Sequence, residues 1–180
     1  MRRTGTTRRA ALAATGALSM GAVLAGCGDG PKAQEPSSNA GSRADAQARA
    51  RATDARLQRT LRKGATLVSA TLLAQYDQVA AAHPATAAGL TPLRSAVRLH
   101  TAALSKGAGR MAPVLPPGAP SADAKAALKE LAAAARRAAD AHTASLMDAE
   151  PELARLLASV AAAGAVHAYL LTELAKDTSS

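Results

Sequence analysis

Pro151-Glu152-Leu153-Ala154-Arg155-Leu156-Leu157-Ala158-Ser159-Val160-Ala161-Ala162-Ala163-Gly164-Ala165-Val166-His167-Ala168-Tyr169-Leu170-Leu171-Thr172-Glu173-Leu174 is the stretch that decides the fold. Leu153, Leu156, Val160, Ala163, His167, Leu170 and Leu174 recur at three- and four-residue steps, the spacing of one helix face. Pro151 fits a first helical turn, and Glu152 favours its positive end. The pattern predicts an amphipathic helix running to about residue 177.

The same period recurs upstream. Ser121 is read as the cap of a third helix, with the stripe Leu128, Leu131, Ala135, Ala138, His142 and Leu146. Thr91-Pro92 is read as the start of a second, with Leu93, Val97, His100 and Leu104. Lys106-Gly107 closes it. A first helix carries Leu57, Leu61, Ala65, Val68, Leu72, Tyr76 and Val79 and stops at His83-Pro84, because the residue before Pro avoids the helical region. Residues 107–120 hold three Gly and four Pro and form a loop. No strand signal appears. The expectation is an all-α four-helix bundle over 46–177.

Composition agrees. Roughly fifty residues are Ala, a strong helix former. There is no Trp or Phe, and Tyr76 and Tyr169 are the only Tyr, so the stacking platforms of single-strand nucleic-acid binders are absent. Ala buries little area, which predicts a modest core. One Cys, Cys27, excludes an internal disulfide framework and a Cys-rich zinc site.

The N-terminus reads as an address. Arg2, Arg3, Arg8 and Arg9 precede an uncharged, weakly apolar stretch from Ala10 to Ala25, shorter than the ~20 residues that span a bilayer. It ends in Leu24-Ala25-Gly26-Cys27, which resembles the bacterial lipobox, where the Cys is lipidated and the chain is cut before it. Thr7-Arg8-Arg9 resembles a twin-arginine export motif, favouring Tat over Sec. Residues 1–26 are thus expected to be a signal peptide, and 27–45 the lipidated Cys27 and a flexible linker rich in Gly, Pro and Ser. Lipidation implies a membrane-anchored protein on the extracytoplasmic face of the cell membrane. Four of the 22 basic residues lie in the signal, so against 13 acidic residues the excess falls from +9 to +5 on cleavage. Residues 43–63 carry all of that remainder. Arg49, Arg56, Arg59, Arg62 and Lys63 are candidates for contact with anionic headgroups. No nucleic-acid partner is expected; a protein partner of unknown identity is.

Leu72-Leu73-Ala74-Gln75-Tyr76-Asp77, His83-Pro84, Pro92-Leu93-Arg94 with His100, and Leu156-Leu157-Ala158-Ser159-Val160 running into His167-Ala168-Tyr169-Leu170-Leu171 resemble the uncharacterised ferritin-like domain family of actinobacterial lipoproteins, over about residues 60–175. The resemblance implies a ferritin-like four-helix fold. It does not by itself imply a metal.

Ferritin-like di-metal sites take a Glu from each of two helices and a Glu-x-x-His pair from each of the other two. Here Val97 stands three before His100, and Gly164 three before His167. No Glu-x-x-His occurs, so no metal and no cofactor is expected. Should one bind, the candidate ligands are His100, His167 and Asp77. His142 lies on a third stripe. At 1.5 Å per residue, a strictly up-and-down bundle puts His100, His142 and His167 about 12, 9 and 21 Å from the end joining the first two helices. A crossover by the loop, which could extend to about 45 Å, puts them at about 12, 30 and 18 Å. Neither arrangement levels all three, so a three-His site is not expected. No nucleophile elbow or phosphate loop is present; Lys106-Gly107-Ala108-Gly109 lacks the strand-to-helix setting. The leading expectation is a non-catalytic binding or interaction module, not an enzyme. The rival is a ferritin-like metal-binding protein or oxidoreductase with non-standard ligands.

Overall fold

The computed structural model describes residues 38–115 and 118–178. Leu24, Ala25, Gly26 and Cys27 lie outside them. The described elements are α1 (Ser38–Ala82), a 3-10 turn (Pro84–Thr86), α2 (Ala87–Ser105), α3 (Ala124–Ala144) and α4 (Pro151–Asp177). The chain is all-helical here, and the four α-helices pack together.

Side-chain ties fix the directions. Gln58 clamps the start of α4: its Nε2 donates to the Asp148 carbonyl (2.9 Å), and its Oε1 accepts from Glu150 N–H (2.8 Å). At the opposite end, His83 Nε2 lies 2.9 Å from the Ser121 carbonyl oxygen, just before α3. Hence α3 starts where α2 starts and runs parallel to it, and α4 runs parallel to α1. The link from α2 to α3 therefore crosses the length of the bundle. It leaves α2 through Gly107 and Gly109, both at positive φ (80° and 76°), a conformation that costs Gly nothing. It passes Lys63, Gly64 and Leu67 of α1 with Arg110 and Met111, and reaches Gln75 and Val79 with Gly118 to Pro120.

Several boundaries move. α1 begins at Ser38, so residues 38–45, assigned to the linker, are helical. Residues 41–57 are exposed throughout, and packing begins only near Leu61. α2 begins at Ala87, five residues before Pro92. Pro92 cannot bond back to Ala88, yet the helix continues across it, because Leu90 and Leu93 on either side are both buried. The α3 cap is Asp123, not Ser121: its carboxylate accepts from Ala126 N–H at 2.6 Å. The buried face of α4 is rotated from the predicted stripe. Leu157, Ala161, Gly164, Ala168, Leu171 and Ala175 are buried, while Leu170 is 42% exposed. Small residues set this choice. A Cβ on Gly164 would lie 3.1 Å from Ala139 Cβ and 3.4 Å from the Ala135 carbonyl oxygen, so the backbone of α4 rests directly on α3.

The core falls into two apolar clusters. The larger centres on Leu72, Tyr76, Leu90, Val97, Leu128, Leu131, Ala135 and Leu171. The smaller holds Ala65, Leu104, Leu153, Leu157 and Val160, with Leu61 and Leu146 against it. Each helix crosses the gap between the clusters at a polar or minimal residue: Ser69 on α1, His100 on α2, His142 on α3, and Gly164 with His167 on α4.

Candidate functional site: a histidine layer between two apolar clusters

His100, His142 and His167, from three helices, line one cavity of about 10 Å³ together with Ser69, Leu72, Val97, Ala138, Ala139, Val160 and Gly164. That is room for about one water. The three imidazoles therefore share a level, against the expectation from axial counting. The count failed for two reasons. α2 starts five residues earlier than Pro92 suggests, which carries His100 about 7.5 Å further from the helix start. And α3 and α4 do not begin and end flush with α2, as the arithmetic assumed.

Each ring has a distinct setting. His142 is 2% exposed, and its Nε2 lies 3.1 Å from Ser69 Oγ, itself 2% exposed. His167 is 7% exposed, and its Nδ1 is buried without a hydrogen-bond partner. His100 is only partly buried and sits on the seam between α2 and α4, helices in far looser contact than α3 and α4. The ring centres of His100 and His167 are 6.4 Å apart, with planes inclined by 21°. Tyr76 meets His167 edge-on at 6.5 Å. Its hydroxyl is also buried and unpartnered, and burial pushes the phenol pKa up.

Among the described residues, none that lines the cavity carries a carboxylate. Burial in an apolar surround lowers the pKa of all three imidazoles, since the charged form loses its hydration. The positive charge that His100 would carry lowers His142 and His167 further. At neutral pH the layer is a set of uncharged nitrogens. Among the described residues, no three His, Cys, Asp or Glu side chains form a ready-made metal cage as they stand.

The other candidates disperse. Asp77 lies outside the cavity, its carboxylate paired with Arg94 Nε. Val97 is buried in the cavity wall, and Gly164 is closed by Ala139, so the residues three before His100 and His167 both belong to the apolar packing. Arg49, Arg56, Arg59 and Lys63 are exposed on α1. Arg62 differs: its side chain is only 15% exposed and lies 4.0 Å from Glu150. Ser69 was missed by sequence reading. Its signal was available, because it lies three residues before Leu72 and seven before Tyr76, on the same buried face.

Fold and site define an all-helical bundle with one crossover and an inward histidine layer. Compared with models of known families, with curated proteins and with solved structures, the chain matches none.

Proposed function

We propose that this chain is an exported lipoprotein, anchored through lipidated Cys27 on the outer face of the cell membrane, whose ferritin-like bundle is a non-catalytic binding module. The observation that carries the functional half is the pair Val97 and Gly164. Apolar packing occupies both sites from which Glu would reach a di-metal centre, and such centres need several carboxylates to offset the ions' charge. The single long crossover supports the ferritin-like reading, since ferritin-like bundles carry one. Leu24-Ala25-Gly26-Cys27 supports the anchor. The exposed Arg49, Arg56, Arg59 and Lys63 then lie against anionic headgroups, at about 1 kcal/mol each.

Two measurements test this reading. Metabolic labelling with palmitate should mark the wild-type chain, and Cys27→Ser should remove the label and leave the chain uncut before residue 27. Label on the Cys27→Ser variant, or none on the wild type, would refute the anchor. Purified protein should hold no stoichiometric iron or manganese; either metal at one or two ions per chain would refute the loss of the di-metal site.

A further inference from the structure

The histidine layer is an unusual thing to bury. A core of Ala, Leu and Val gains nothing from three imidazoles, and an unpaired buried nitrogen costs on the order of 1–3 kcal/mol. Ser69 accounts for His142 alone. His167 Nδ1 remains without a partner beside an opening the size of one small ion or water.

We propose that His100, His142 and His167 bind a single imidazole-preferring transition-metal ion of the copper or zinc class between the two apolar clusters. This rests on the reading of the bundle as a binding module and names the ligand. Two observations converge on it. The absence of any carboxylate from the cavity wall disfavours iron and manganese of the ferritin type, and imidazole sets suit copper and zinc. The spacing also fits. An ion at about 2.0–2.1 Å from one nitrogen of each ring holds two ring centres roughly 5 to 6.5 Å apart, from tetrahedral to opposed ligands. His100 and His167 stand at 6.4 Å, the open end of that range.

Closure by about one ångström brings a tetrahedral pair into reach. His142 completes the set by turning Nε2 from Ser69. Partly exposed His100, on the loosely packed α2–α4 seam, provides the way in. Binding would satisfy His167 Nδ1, which no described residue does.

The test uses the full chain, titrated at pH 7.5 with Cu²⁺ or Zn²⁺ alone and then desalted. The expected result is one ion per chain beyond that held by the triple variant His100→Gln/His142→Gln/His167→Gln, which keeps Cys27 and every other donor. His167→Gln alone should weaken binding at least tenfold. His83→Gln, at the far end of the bundle, should change nothing. The copper form should show nitrogen hyperfine coupling in its electron paramagnetic resonance spectrum. If His167→Gln does not fold, His100→Gln at the partly exposed position carries the same comparison. Equal metal in wild type and triple variant, or none in either, overturns the proposal. Either result leaves the anchored binding-module reading standing, because palmitate labelling and iron content are read separately.

Discussion

The two apolar clusters and the layer between them are built by the same four helices, yet they obey opposite rules. In the larger cluster, Leu90, Leu128 and Leu171 are fully buried and ask nothing of their neighbours but shape. In the layer, Ser69 and His142 satisfy one another, while His167 Nδ1 and the nearby Tyr76 hydroxyl have no hydrogen-bond partner among the described residues. The difference separates what holds the bundle together from what the bundle holds. Stability resides in the apolar ends and in the close α3–α4 seam. The layer sits at the expense of stability.

That contrast can be broken from the apolar side first. Leu171→Ala should cost the most, about 2–5 kcal/mol, the range for Leu lost from a packed core, measured by chemical denaturation. Gly164→Val should follow at roughly 1–3 kcal/mol, because its Cβ position is already tight against Ala139 and Ala135. A neutral or stabilising Gly164→Val would mean that the α3–α4 seam is looser than described. Within the layer, Ser69→Ala should cost about 1–3 kcal/mol, because it leaves His142 Nε2 buried without its partner. His167→Leu should be close to neutral or stabilising, since it removes an unpaired polar atom, while abolishing metal binding. A loss of the same size as Leu171→Ala would place His167 among the structural residues. Asp77→Asn should likewise change stability by no more than about 1 kcal/mol, as expected of a half-exposed ion pair.

Much of the fold was legible in the sequence. The stop at His83-Pro84 and the start at Pro151 mark real helix ends, because Pro constrains backbone geometry whatever the tertiary context; α3, by contrast, ends at Ala144, short of Leu146 on its expected stripe. Pro92 misled for a related reason: Pro favours the first turn, but buried Leu90 and Leu93 carried the helix through it. The rotated face of α4 is not legible from its large residues alone. In an Ala-rich bundle, Gly164 and Ala168 win the inner face by letting backbones approach. His142 and His167 were correctly placed on inward stripes. Their meeting was not legible, since it depends on helix starts and axial offsets that propensity does not fix. Ser69 was legible only as a polar residue on an apolar face.

The central claim is that three neutral imidazoles, two of them buried and His100 partly so, meet in one layer of the bundle, and its most direct test is the pH dependence of unfolding. Each folded pKa is lowered below the ordinary 6.5. The unfolded chain therefore binds more protons than the folded one as pH falls through that value. Stability is complete above about pH 6.5 and is lost below it, by up to about 1.4 kcal/mol per pH unit for each titrating group. The thermal midpoint of the metal-free wild type should be flat from pH 8 to 7 and fall as pH drops below 6.5. The His100→Gln/His142→Gln/His167→Gln variant should lose most of that slope. Equal slopes in the two proteins would contradict the account.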